Sequence, residues 1–214
     1  LAALLKTHPT ADELQIVLSS SGLEDFIHFE GIPHLVGGKV ISDAEEATEL
    51  IKSVVFTEFE RREKILTDAR VANIAQYNQK CTPKLAPMVV VIDEFADLAD
   101  QLETKKEKEA FFTPVKRIAQ IGRKRGIHLV LCTQRPAATL VPSNIKSQLS
   151  GRLALRVNDA NSSRMILEEG GAQYLQKHGD MIYKNGAETE RVQGYFISID
   201  ELDEIVEGIK QFNE

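Results

Sequence analysis

Five consecutive apolar residues, Met88-Val89-Val90-Val91-Ile92, run directly into two acids, Asp93 and Glu94. Four of the five are Val or Ile. A run of this kind suits a strand covered on both faces, as in a parallel sheet. Ile127 to Cys132 reads as a second buried strand, and Gln15 to Leu18 and Leu153 to Val157 as two more. Helical periodicity lies between them. Ser42, with Glu45 three residues on, reads as a capping box that opens a helix running to about Ala69. Further helices are predicted over Val71–Gln79, Glu107–Arg125, Asn144–Leu149 and Ser162–Glu168. Met181–Tyr183 and Arg191–Ile199 form a predicted hairpin with Asn185-Gly186 in its turn. Asp200 is expected to cap a last helix over Glu201–Phe212. The alternation predicts an α/β fold: a mostly parallel sheet with helices on both faces, then a C-terminal β-hairpin and helix. The whole span 1–214 reads as one domain.

Composition excludes several classes. Hydrophobic residues make up 43% and charged residues 27%, too apolar for a disordered chain. No stretch approaches the ~18 apolar residues of a membrane helix, and no signal peptide is expected. Cys81 and Cys132 stand apart, without Cys or His partners at metal-ligand spacing, so a reducing, cytoplasmic setting is expected. The net charge of −6 argues against coating nucleic acid by bulk charge, while leaving room for a local basic face. The chain opens at Leu1 inside an apolar helical pattern without a cap, and it reads as the remainder of a longer one.

In parallel sheets the ligand sits beyond the carboxyl ends of the strands. There, Asp93-Glu94 follows the apolar run in the manner of a Walker B element. Asp93 is the candidate for Mg²⁺ and Glu94 for the base or orienter of an attacking water. The same pair also reads as a solvated strand-to-loop boundary. Thr133-Gln134-Arg135-Pro136 ends the Ile127 strand. Beside the first strand, Gln134 would neighbour Glu94 and report nucleotide state; otherwise it is a polar turn stopped by Pro136. Lys116, Arg117, Arg123, Lys124 and Arg125 suit either a phosphate backbone or, preferably, a solvated helix face. Arg152 and Arg156, placed in the Leu153 strand, need an anion or a structural ion pair. His34, His128 and His178 read as structural, and Cys132 as a small buried residue.

Several segments then agree in order. Pro87 through Leu98 resembles the Walker B segment of FtsK/SpoIIIE-type DNA translocases, and Gly126 through Pro136 is similar to their sensor strand. Glu30–Leu35, Phe59–Arg62, Tyr77-Asn78, Ser163–Leu167, Gly170–Ala172 and Gly179–Met181 match further family segments. The resemblance covers nearly the whole chain. It implies a RecA-like motor domain of the HerA/FtsK branch, with ATP and Mg²⁺ as cofactors. It also implies a hexameric homo-oligomeric ring that moves double-stranded DNA. Carried over by position, Asp93 (also the metal ligand), Glu94 and Gln134 are catalytic. Arg152 is the first choice, and Arg164 the second, for an arginine acting on a neighbour's nucleotide. Thr133, Gly179, Asp180 and Met181 fall near the nucleotide.

Two departures stand out. No G-x-x-x-x-G-K-[ST] loop occurs anywhere; Gly37-Gly38-Lys39-Val40 lacks the spacing and the hydroxyl. The chain as written is therefore expected to bind ATP weakly or not at all, its phosphate loop lying upstream. Ser20-Ser21-Gly22 stands where the family usually has Asp-Pro-Lys, which suggests a divergent member, as in DNA defence or transfer. The alternatives are a type VII secretion-like ATPase acting on protein, or a degenerate, non-hydrolysing assembly module. No membrane contact is expected of this domain.

Overall fold

The computed structural model describes residues 1–135 and 141–213. They pack as two compact units: residues 1–133 with 199–214, and residues 134–198.

In the first unit, β1 (Gln15–Ser20), β2 (Met88–Asp93) and β3 (Ile127–Leu131) form a parallel sheet in the order β1-β2-β3. The apolar run Met88–Ile92 takes the central place, buried at all five positions, as its composition predicts. Successive side chains alternate between the faces. Val89 and Val91 join Ile16 and Leu18 in a core with Leu5, Val206 and Ile209. Leu5 belongs to α1 (Ala2–Thr7); Val206 and Ile209 belong to the last helix (Ile199–Phe212). The region across the sheet is filled by α2 (Ala44–Ser53), α3 (Phe59–Asp68), α5 (Phe95–Gln101) and α6 (Lys105–Ile121), after a short α4 (Ile74–Lys80). Phe95 and Phe111 stack there at 5.4 Å between ring centroids, tying α5 to α6. The segment after β1 returns beside it through bridges Ile16–Leu35 and Ser19–Ile41.

Local chemistry moved several boundaries. Asp43, not Ser42, caps α2, accepting from the Glu46 N–H at 2.8 Å. The long helix is interrupted by a π turn, Val54–Glu58, which keeps Ile51, Val55, Phe59 and Leu66 on the buried side. α6 starts at a Thr104–Glu107 capping box and gives way at Gly122 to a 3₁₀ turn, Gly122–Arg125. A Cβ at Gly122 would lie 2.4 Å from the Ile127 carbonyl oxygen, so only glycine lets this turn close onto β3. The expectation of a buried second strand fails for β3. It has a sheet neighbour only at β2 among the described residues, and His128 and Val130 are exposed.

The second unit holds α7 (Ser143–Lys146), β4 (Gly151–Ala154), α8 (Ala160–Leu167), β5 (Asp180–Asn185) and β6 (Glu188–Gln193). β4 does not extend the parallel sheet. It pairs antiparallel with β5, which forms the predicted hairpin with β6 around Gly186. Arg156 lies beyond β4 and is exposed, so it is no inward strand residue. The last helix, α9 (Ile199–Phe212), returns to the first unit; Asp200 sits inside its first turn rather than capping it.

Candidate nucleotide-hydrolysis site

The site is built at the carboxyl end of β2, and the parallel register decides what stands beside it. Ser20, the last residue of β1, lies directly across from Asp93. Its hydroxyl donates to Asp93 Oδ2 at 3.2 Å. From the other side Cys132 continues β3: its N–H donates to the Ile92 carbonyl at 2.9 Å, and its carbonyl accepts from the Phe95 N–H at 2.9 Å. One residue on, the Thr133 hydroxyl donates to Glu94 Oε1 at 2.8 Å. Each acid leaving the central strand is thus held by a side chain from a flanking strand.

Glu94 carries a second mark. Its backbone is left-handed, φ 43° and ψ 59°, where a residue with a Cβ is disfavoured. This bend turns the chain from β2 into α5 within one residue. Strain of about 1–3 kcal/mol in such a conformation persists where surrounding structure over-determines it, commonly at functional sites.

The electrostatics agree. Partial burial, and then the Glu94 and Asp25 charges, push the Asp93 carboxyl above its ordinary value, against the Ser20 and Cys132 hydrogen bonds that favour the ionised form. A carboxylate crowded in this way gains from a cation. No three His, Cys, Asp or Glu side chains converge to enclose a metal among the described residues. The pair therefore fits a largely hydrated Mg²⁺, which takes one or two carboxylates and keeps its other places for water and phosphate oxygens. The Cys132 thiol is not buried as expected but exposed. Partial desolvation, and then the neighbouring Asp93 charge, push it up to about 11, which removes it as a nucleophile.

The remaining candidates are distributed as follows. Gln134 is exposed and directly follows Thr133, at the residue where the second unit begins. Pro136, expected to stop this turn, lies outside the described residues. In the second unit, Arg152 Nη1 pairs with Glu168 Oε1 at 2.8 Å and donates to the Ile166 carbonyl at 3.2 Å. Arg164 is exposed, with Nη1 3.2 Å from Asn161 Oδ1. Gly179 opens β5 with φ 87° and receives the Gly194 N–H at 2.7 Å. Asp180 is committed to Arg191, with bonds of 2.6 and 2.8 Å, and to the Gln176 N–H at 2.6 Å. Those bonds hold its carboxyl down at about 2. Met181 follows in β5, half-buried.

Sequence reasoning missed Ser20 as a partner of Asp93 and the hydroxyl role of Thr133. Both follow from strand register, which no local pattern discloses.

A parallel sheet whose central strand ends in a strained, hydroxyl-held Asp-Glu pair, beside a strand ending in Thr-Gln, is the architecture of a RecA-like ATPase domain. Comparison with known proteins makes this specific. The model of the FtsK/SpoIIIE family matches residues 1–86 and 81–138. The DNA translocase FtsK of Halalkalibacterium halodurans is 34% identical over 96% of this chain and 26% of its own length. That of Pseudomonas aeruginosa is 34% identical over 98% of this chain and 28% of its own. Among solved structures, the pCW3 conjugation coupling protein TcpA, with ATPγS, superposes with a TM-score of 0.81 at 25% identity, over 95% of this chain and 58% of its own. The cytoplasmic domain of the Thermomonospora curvata type VII secretion ATPase EccC shares the fold, with a TM-score of 0.73 at 23% identity over 94% of this chain and 24% of its own. The chain belongs to the FtsK/SpoIIIE family. It spans about a quarter of the length of the curated relatives it matches.

Proposed function

We infer that this chain is the acid- and sensor-bearing part of an ATP-driven double-stranded DNA translocase motor. Its two units act as a single RecA-like domain within a cytoplasmic, homo-oligomeric, hexameric ring, in a divergent DNA defence or transfer system. The observation that carries the reading is the pair Asp93-Glu94, each acid held from a flanking strand and Glu94 bent into a left-handed backbone.

On this reading Asp93 binds the hydration shell of Mg²⁺, which, when bound, neutralises charge on the transferring phosphoryl group. Glu94 orients the attacking water and takes its proton at Oε1 or Oε2, and its Thr133 bond fixes the direction of approach. Gln134 senses the γ-phosphate. The family resemblance assigns Thr133, Gly179, Asp180 and Met181 to nucleotide binding. Arg164, exposed and bonded among the described residues to an amide oxygen, is the freer candidate for an arginine acting on a neighbouring subunit's nucleotide; Arg152 is engaged with Glu168 and two carbonyls. The 214 residues contain no phosphate-binding loop of the G-x-x-x-x-G-K-[ST] type. Triphosphate contacts then come from residues outside them, and the 214 residues alone turn over no ATP.

Charge distribution favours DNA over protein cargo. Between Ala110 and Asn158 there are nine lysines and arginines and no aspartate or glutamate, in a chain whose net charge is −6. In the first unit this stretch exposes Arg117, Arg123 and Lys124 at the end of α6 and the turn after it.

The test is DNA-stimulated ATP hydrolysis by the full-length protein. Glu94→Gln should abolish turnover while nucleotide binding survives. Unchanged turnover in that variant rejects the assignment.

A further inference from the structure

We propose that Ser20 is a positioning residue for the divalent cation: its hydroxyl sets the orientation in which Asp93 meets the metal. The proposal rests on the reading of Asp93 as the cation-binding acid.

Ser20 is fully buried, at 0% exposure, at the end of β1. Packing alone would be served by alanine or valine. Its Oγ has two acceptors within reach, Asp93 Oδ2 at 3.2 Å and the Gly22 carbonyl at 3.1 Å, and it accepts the Gly22 N–H at 3.2 Å. A hydroxyl has one proton to give. An ionised carboxylate is the stronger acceptor, so the proton goes to Asp93 while that group is charged. The Gly22 N–H holds the oxygen in place from the other side. Held at Oδ2 by this anchored hydroxyl, the Asp93 carboxylate is restricted in rotation and its remaining lone pairs are oriented. A hydrated cation approaching the strand end then meets a carboxylate already oriented. Partners of this kind, one shell out from a metal, typically change affinity 10- to 100-fold when removed.

The adjacent residue supplies an internal control. Ser19 is equally buried, at 1% exposure, yet its hydroxyl donates to the Val91 carbonyl at 3.2 Å. It is a buried serine on the same strand that points its proton at backbone, not at the acid.

The probe is Mn²⁺, followed by water-proton relaxation and EPR on the full chain, with thermal unfolding recorded in parallel. Asp93→Asn should remove the site. Ser20→Ala should weaken Mn²⁺ binding about tenfold with little change in unfolding temperature, and Ser20→Thr, which keeps the hydroxyl, should restore it. Ser19→Ala should leave Mn²⁺ affinity unchanged. If Asp93→Asn binds Mn²⁺ like the wild type, the cation reading of Asp93 fails and the role of Ser20 with it. If Asp93→Asn loses the site and Ser20→Ala keeps it, the role of Ser20 alone is overturned. A Ser20→Thr variant as weak as Ser20→Ala assigns the loss to packing and overturns it too. Should Ser20→Ala not fold, Ser20→Cys, close in volume and a weaker donor, carries the same comparison.

Discussion

Two single residues show how the chain places charge inside the protein at acceptable cost. Arg62 is buried at 1% exposure, with Nε 2.5 Å from Glu58 Oε1 and Nη1 donating to the Arg125 carbonyl at 2.8 Å. Desolvation lowers its pKa, and the Glu58 bond opposes that shift. Arg125 in turn lies 5.4 Å over the Phe59 ring and pairs with Glu63 at 2.8 Å. These contacts pin α3 to the turn that launches β3, whose far end carries Thr133. Removing Arg62 leaves Glu58 its Arg61 partner but empties a buried side-chain site and strips the Arg125 carbonyl of its donor. Arg62→Ala should cost about 2 kcal/mol of stability, read by urea denaturation at constant m-value. A variant within 0.5 kcal/mol of wild type would show that the contact is dispensable.

Turns and hairpins carry the next level of organisation. Gly122 is required by contact rather than by conformation, since its backbone angles are those of an ordinary helix and only the Ile127 carbonyl, 2.4 Å from an added Cβ, forbids a side chain. Gly122→Ala should destabilise the first unit by about 1–3 kcal/mol, with the loss of protection concentrated at β3 amides in hydrogen exchange. The β5–β6 hairpin depends instead on charge. Asp180 is held at about 2 against an ordinary value of 3.8, first by Arg191 and then by the Gln176 N–H. A depressed carboxyl pKa contributes stability that is complete above the unfolded value and is lost as pH falls through the folded one. Unfolding of the wild type should therefore show an acid-dependent component between about pH 4 and pH 2, which Asp180→Asn removes. Because Arg191 is 61% exposed, the component should shrink further with added salt.

For the whole molecule, the uneven distribution of charge makes the sharpest prediction. In the first unit, the exposed Arg117, Arg123 and Lys124 offer a local basic face in a net-negative chain. DNA affinity should fall linearly with salt on a log–log scale. Replacing Arg123 and Lys124 by Glu should lower the magnitude of that slope by about 2 if both neutralise phosphates. An unchanged slope would place the DNA contact elsewhere. A concavity of about 400 Å³, lined by Leu5, Lys6, Glu201 and Ile205 among others, lies between α1 and α9. It includes none of the residues assigned to hydrolysis.

The identity of β2 and of the acids that follow it is legible in the chain itself, because a five-residue apolar run ending in Asp-Glu has few physical interpretations. Most helices were legible for the same reason: their periodicity is local. The displaced cap at Asp43 and the start of α6 at Lys105 shifted because neighbouring residues compete for one cap, and contact geometry decides between them. What only the tertiary structure decided is pairing. Register put Ser20 opposite Asp93 and Thr133 against Glu94; among the described residues, strand order left β3 with one sheet neighbour and two exposed side chains; and β4 joined an antiparallel sheet instead of the parallel one. Each of these joins residues tens of positions apart, and a strand's own sequence states which faces are apolar but not which strand will lie beside it.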